Sequence, residues 1–242
     1  MKVAINTSSV EKAFGLLEFL AGLGRPASLQ EVTEAVKLPK PTAYRLLQAL
    51  QKLGYVTRPS EGRSYLVGPR TARLAAVDPY AGVKSAAQPL LRRLHEQFNE
   101  TINLGALSGG QVLYLDFLET TQALRFIVTP GQNDPYFRTA LGRAVAAQLP
   151  DSQLDRLLAE TRFEALTPHT VKNRQELRRR IVQVRELGLA EENEEAVEGV
   201  CCLAVSLAPA GFPDAAISMA VPKQRLGSRR RAAIVKALTS LF

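Results

Sequence analysis

The sequence predicts an α+β protein, with a winged helix-turn-helix at its N-terminal end and a larger domain on an antiparallel sheet behind it. Three observations carry this. Leucines recur at helical spacing through residues 9–53, with turn signals between the runs. Two short strand-like runs then flank Glu61-Gly62 as a wing. Beyond residue 83, strands and helices interleave without a regular βαβ period.

The first helix is expected from about Ser9 to Leu23, with Val10, Ala13, Phe14, Leu17 and Leu20 as its apolar stripe. Ser28 and Glu31 have the spacing of a capping box, so a second helix opens there and turns Leu29, Val32 and Val36 inward. Leu38-Pro39 breaks it. Pro41 suits the first position of a third helix, where a missing N–H leaves no acceptor wanting. Leu46, Leu47, Leu50 and Leu53 form the buried side of that helix, and Gly54 fits the left-handed position that ends it. Tyr55 to Arg58 and Ser64 to Val67 are the wing strands.

The other side of the third helix carries Lys40, Thr42, Tyr44, Arg45 and Gln48. With Ala43 beside them, and Arg58 and Arg63 on the wing, they are the candidate contacts to double-stranded DNA. A recognition helix places its N-terminal side chains on base edges in the major groove. Arg45 has the fork for guanine and Gln48 the amide for adenine. Lys40, Arg58 and Arg63 suit phosphates, which set register without reading sequence. The blander alternative is a helical hairpin with a solvated basic face. The agreement of cap, turn, leucine face and wing favours DNA.

Charge points the same way. The 242 residues carry a net +8, and residues 1–77 hold 11 Lys+Arg against 5 Asp+Glu. The remainder is nearly balanced, so basicity gathers where a polyanion would dock. A hydrophobic fraction of 46% supports substantial cores. No apolar run approaches the ~18 residues of a membrane span, and the N-terminus shows no apolar signal core. The two cysteines are adjacent, which excludes a disulfide framework and a CxxC metal pattern. The expectation is a cytoplasmic protein with no membrane partner, no cofactor and no metal.

In the second part, Pro69 to Leu74 leads into a short helical stretch that Asp78 to Gly82 interrupts; the domain junction is placed there. Ser85 to Phe98 reads as a helix. Thr101 to Leu107 and Val112 to Leu118 read as strands around a Gly109-Gly110 hairpin turn. Leu124 to Val128 reads as a further strand, and Thr139 to Leu149, the region of Leu154 to Leu158, and Arg174 to Leu187 as helices. Leu203 to Ala208 and Ala215 to Val221 are strands, and Arg229 to Phe242 is a final helix. The acidic run of Glu191, Glu192, Glu194, Glu195 and Glu198 reads as solvated. Arg178 to Arg180 and Arg229 to Arg231 read as solvated faces or subunit contacts. Cys201 and Cys202, facing opposite ways on a strand, read as small hydrophobes, and His95 and His169 as packing and turn residues. Residues 85–242 show no nucleophile–base pair, metal cluster or phosphate loop, so no catalytic site is expected.

These residues resemble the IclR family of bacterial transcriptional regulators. The resemblance rests on Leu38-Pro-Lys-Pro-Thr-Ala-Tyr-Arg-Leu-Leu47, Leu53-Gly-Tyr-Val56, Thr139-Ala-Leu-Gly-Arg-Ala144, Leu166-Thr-Pro-His-Thr-Val171, Arg185-Glu-Leu-Gly188, Glu194-Glu-Ala-Val-Glu-Gly-Val-Cys-Cys-Leu-Ala204 and Ala215-Ala-Ile-Ser218. It implies a winged helix-turn-helix over residues 1–69, a linker helix over 70–82 and a GAF/PAS-like effector-binding domain over 83–242. It implies a homodimer or homotetramer on a palindromic operator, acting as repressor or activator. It also implies control by a small-molecule effector, often an organic acid, held by Ala140, Leu141, Gly142, Glu192, Cys202 and Ser218. A helix opening near Thr139 would present free N–H groups to such an anion.

Four positions depart from the family pattern. Pro41 replaces the usual Ser, Glu192 stands where many members have Asp, Ala220 where some have Ser, and Arg138 where His is common. A carboxylate beside Glu192 would need compensation from Arg138, Arg143 or the helix N-terminus. The rival readings are a regulator governed by oligomerisation alone, an enzyme fused to a DNA-binding domain, and a sequence-indifferent architectural DNA protein.

Overall fold

The computed structural model describes residues 8–59, 64–76 and 78–242. The expected wing turn, Glu61-Gly62, and the candidate Arg63 lie outside the described residues. The chain divides into two compact units, Met1–Pro79 and Tyr80–Phe242.

The first unit contains α1 (Ser9–Leu23), β1 (Ala27–Ser28), α2 (Leu29–Val36), α3 (Lys40–Lys52), β2 (Val56–Thr57), β3 (Ser64–Val67) and α4 (Thr71–Ala75). The capping box forms: Ser28 Oγ accepts from Glu31 N at 3.2 Å, and the Glu31 carboxylate accepts from Ser28 N at 2.8 Å. Helix α3 begins one residue before Pro41, with Pro39 as its cap, so Pro41 takes the second position instead of the first. That position also lacks an intrahelical acceptor for its N–H, so the proline is equally tolerated. At the other end Gly54 takes φ +80°. The N–H of Tyr55 then reaches Leu50 O and that of Gly54 reaches Gln51 O, both at 2.9 Å, a Schellman stop.

Leu16, Leu20, Val32, Leu47, Leu50, Val56 and Tyr65 share one core. The expected inward stripe of α1 is corrected at two positions. Val10 and Phe14 are 63% and 52% exposed, because the buried line runs through Ala13, Leu16, Leu17 and Leu20. Strand β1, too short to show a pattern, pairs with β3 and gives the order β1-β3-β2.

The second unit contains α5 (Ala81–Phe98), β4 (Thr101–Ser108), β5 (Gln111–Leu118), β6 (Asn133–Pro135), a 3-10 turn (Tyr136–Arg138), α6 (Ala140–Ala146), α7 (Asp151–Glu160), α8 (Arg174–Leu187), β7 (Ala190–Asn193), β8 (Val200–Leu207), β9 (Phe212–Pro222) and α9 (Ser228–Thr239). Its strands form one antiparallel sheet in the order β6-β5-β4-β9-β8-β7. Gly109 and Gly110 both take positive φ at the β4–β5 turn, as a two-residue primed hairpin requires.

Three sequence expectations are corrected here. Leu124 to Val128 forms no strand: Val128 is buried and Phe126 partly so, but neither finds a paired neighbour, and β6 takes the edge beside β5. Helix α5 starts four residues before Ser85. Part of the acidic run is strand β7, where alternation buries Glu192 and exposes Glu191.

Alternation along the strands makes two cores. Ile102, Leu104, Leu203, Val205, Ile217 and Met219 face α5 and α9, meeting Leu91, Leu94, Ile234 and Leu238. The other face is built from small side chains, Gly105, Ala204, Ala216 and Ala220, and α6 lies close against it. A Cβ on Gly105 would come to 3.0 Å from Leu141 Cδ1, and one on Gly142 would overlap the backbone of Tyr136. Every residue of α6 is buried.

One of them is Arg143, 1% exposed. All five of its N–H donors are used. Nε and Nη2 donate to Phe137 O at 3.0 and 2.8 Å. Nη1 donates to Glu191 O at 3.1 Å and to Glu195 Oε1 at 2.8 Å. Nη2 closes the fork on Glu195 Oε2. Glu195 also takes Arg180 Nη1 at 2.6 Å and Val171 N at 3.3 Å. The Thr-Pro-His-Thr turn completes the cluster. Thr170 Oγ1 accepts from Leu166 N and Thr167 N at 3.2 and 3.0 Å, and donates to Glu195 O at 2.6 Å. Thr167 Oγ1 donates to Glu194 O at 2.6 Å. Removing Arg143 leaves the buried Glu195 carboxylate with only the partly exposed Arg180 as its cation and strands Phe137 O and Glu191 O. Arg143→Met should therefore lower the unfolding free energy by about 3–5 kcal/mol in urea titration. A loss under about 1 kcal/mol would mean that water reaches Glu195 and the pair holds little.

Candidate functional site

On α3, Lys40, Tyr44, Arg45 and Gln48 are exposed and Thr42 is half-buried. The cause is the helical repeat, since Leu47 and Leu50 occupy the inward positions. Ala43 is corrected: it is fully buried, so its methyl belongs to the core and not to the outer face. Among the described residues, neither Lys40 nor Arg45 has an ion-pair partner. Arg58 is half-buried, its guanidinium 5.1 Å from the centre of the Tyr65 ring. Sequence reasoning missed Arg70, whose Nη1 donates to Leu53 O at 3.1 Å while the group lies over Tyr55 at 5.5 Å. It closes the carbonyl end of α3, where a cation is favoured.

The arginine runs of the second unit are largely occupied internally. Arg178 pairs with Asp155, Arg180 with Glu176 and Glu195, and Arg231 with Glu191. Arg230 and Arg225 converge on Glu100, which is fully buried.

The second site is a cleft between α6 and the sheet. Register sets it up. Asn103 on β4 lies opposite Ser218 on β9, and Glu192 on β7 opposite Cys202 on β8. Ala140 and Leu141 face them from α6, while Phe126, Val197 and Val200 add apolar surface. Five expected residues thus meet: Ala140, Leu141, Glu192, Cys202 and Ser218. Gly142 is not among the lining residues; it packs on Tyr136 instead. Asn103, Tyr114 and Asp134 also line the cleft and were missed. Asn103 had a signal, a polar residue at an alternate position of an otherwise apolar strand. Asp134 had none, because β6 is only three residues long.

The cleft is lined mostly by apolar surface, with a few polar groups and, among the described residues, no cation. Asn103 Nδ2 donates to Ser218 Oγ at a long 3.5 Å, and its buried Oδ1 has no partner. Glu192, 3% exposed, accepts from Ala196 N at 3.1 Å and from Glu195 N. Burial pushes its carboxyl up to about 7, against these backbone bonds and one to Cys202 that pull it down. The Tyr114 hydroxyl is pushed up by burial and then by Asp134. Arg138 and Arg143, the expected compensators of an anion, are both engaged, Arg138 with Asp134 at 3.0 Å and Arg143 with Glu195. The open space is small, about 20 Å³.

With this geometry in place, comparison with known proteins is direct. Residues 9–60 match the IclR helix-turn-helix domain and residues 77–241 the bacterial transcriptional regulator IclR C-terminal domain. The regulator BhcR of Paracoccus denitrificans is 32% identical over 232 residues, 95% of this chain and 83% of its own. KdgR of Escherichia coli is 30% identical over 227 residues, 93% of this chain and 86% of its own. An IclR homologue from Microbacterium hydrocarbonoxydans, solved with 4-hydroxybenzoate, shares the fold with a TM-score of 0.76 at 20% identity, over 96% of this chain and 95% of its own. The exposed basic helix, the sheet and both domain matches agree: this chain belongs to the IclR family of DNA-binding bacterial transcriptional regulators.

Proposed function

We propose that this protein is a cytoplasmic regulator, a homodimer or homotetramer, whose grip on a palindromic operator is set by a small molecule in the cleft behind α6. The observation that carries the DNA side is the exposed cationic face of α3, without ion-pair partners among the described residues, above a buried leucine face. Tyr44, Arg45 and Gln48 are the base readers, and Lys40, Thr42, Arg58 and Arg63 the backbone contacts. Two headpieces related by a two-fold axis would read half-sites one helical turn or a multiple apart.

The working units are residues 1–69 and 83–242, joined through 70–82. The effector reading rests on the cleft. An unpartnered Asn103 Oδ1 and the long Asn103–Ser218 contact leave hydrogen-bonding capacity for a guest. The 4-hydroxybenzoate bound by the Microbacterium homologue supports a small organic acid. Glu192, with its proton held to about pH 7, can meet such an acid as a donor. The effector acts only through unequal affinity for the DNA-competent and incompetent forms. The protein is a binder and not an enzyme in this reading. One observation favours a second reading, control by subunit arrangement alone: the cleft is too small for a metabolite without rearrangement.

Three outcomes test this. Arg45→Ala should lower affinity for genomic fragments selected by the wild type by about 1–3 kcal/mol, and random duplex far less. Equal loss on both would make Arg45 a phosphate contact. Ser218→Ala should blunt the response to any metabolite that releases the wild type from DNA, with effector-free affinity unchanged; an identical dose response removes Ser218 from the cleft. For Glu192 the folded state favours the protonated carboxyl. Its contribution to stability is therefore full below about pH 4.5 and is lost as pH rises towards about 7. Glu192→Gln should flatten that slope and raise stability at pH 8, checked by urea midpoints at pH 5 and 8.

A further inference from the structure

Arg58 occupies an unusual place for a charged residue. The β2–β3 register pairs Val56 with Val67 and Thr57 with Leu66. Its next step sets Arg58 across from Tyr65, which is 1% exposed in the headpiece core. Arg58 is thus on the inward-facing side of the ribbon, at the rim of the core. A long side chain there covers apolar surface with its stem and carries its charge outward. The contacts agree. The guanidinium lies over the Tyr65 ring at 5.1 Å, and Nε is screened from water with no hydrogen-bond partner. A buried, unsatisfied N–H costs stability, so stacking and not hydrogen bonding holds the group. Among the described residues no ion-pair partner holds it, and the residue as a whole is half-buried.

We infer that Tyr65 is a positioning residue for DNA binding: its ring fixes the Arg58 guanidinium so that the two terminal nitrogens stand ready, as a fork, for a backbone phosphate beside the wing. This rests on the reading that Arg58 touches DNA. A pre-stacked arginine loses less rotamer freedom on docking than a free one. A lysine at the same place would keep the charge but neither the plane nor the fork.

The test is the full chain titrated onto a labelled duplex of random sequence at rising salt, with folding followed by circular dichroism. Arg58→Ala should weaken binding and reduce the slope of log affinity against log salt by about one. Tyr65→Leu and Arg58→Lys should each weaken it about two- to fivefold with the slope kept. Tyr65→Phe, which retains the ring, should bind as the wild type does. In the Arg58→Ala background, Tyr65→Leu should add nothing. Tyr65→Leu costing as much there as in the wild type, or Arg58→Lys binding at full strength, overturns the inference while leaving Arg58 a contact. A silent Arg58→Ala removes both the contact and the inference. Should Tyr65→Leu disturb the fold, Arg58→Lys, which leaves the core untouched, decides.

Discussion

The second unit depends on one buried ion pair. Arg143 and Glu195 are each about 1% exposed, and a charge in such a place survives only if every donor and acceptor is met. Meeting them fixes the surroundings. Phe137 O brings the 3-10 turn against α6, Glu191 O brings β7, Arg180 brings α8, and Thr167 and Thr170 bring the segment before it. Elements far apart in sequence are therefore held at one point, and that point lies directly behind the cleft. Glu192 is held by the backbone N–H groups of Glu195 and Ala196, so its orientation follows from the pair that Glu195 makes. The family motifs around Thr139, Leu166 and Glu194 read as unrelated strings in the sequence, yet in space they are parts of this one cluster.

The headpiece was more legible than the domain behind it. Its signals are local. A capping box, a proline, a glycine stop and a leucine repeat each act within a few residues, and each formed where expected apart from a one-residue shift at Pro41 and from Leu53, expected on the buried side of α3 but 51% exposed at its end. The error at Val10 and Phe14 came from reading a stripe without knowing which neighbours it would meet. In the second unit, Arg174–Leu187 and the Gly109-Gly110 turn were legible for the same local reason. Leu124 to Val128 misled because alternation predicts a buried face, not a partner strand. Strand β7 was hidden by composition: four residues, two of them glutamates, carry no apolar alternation beyond Ala190.

The cleft was legible in proportion to its dependence on strands. Cys202 and Ser218 fall where alternation turns them, and Asn103 follows the same rule. What could not be read was electrostatic. Nothing local distinguishes Glu192 and Glu195, both buried, from Glu191 and Glu198, both exposed. Burial of a carboxylate is decided by a partner 52 residues away in the case of Arg143, and charge runs in general are solvated. Arg138 and Arg143 were expected to serve a ligand for the opposite reason, since the sequence shows cations without showing which acids already hold them.

The same bonds decide which wall of the cleft can yield. Helix α6 is fixed on three sides, by Gly142 against Tyr136, by Leu141 against Gly105, and by Arg143 in its cage. The sheet floor is a continuous hydrogen-bonded ladder, with Asp134 and Glu192 on its two edge strands. Two further walls are the segment that carries Phe126 and the turn from Glu194 to Val200, where Val197 is exposed and the chain reverses through left-handed Glu194 and Gly199. The turn is tied to the rest by the Lys223–Glu194 pair, by Lys223 N on Gly199 O, by the two threonines, by Glu192 on Glu195 N and Ala196 N, and by Glu195 itself. A metabolite-sized guest needs space that the cleft lacks, and displacing the turn is one way to make it. Displacing it pulls on Glu195, and Glu195 is the residue through which α6, α8 and β7 are joined. By that route, ligand size at the cleft would be linked to the arrangement of those helices through Glu195.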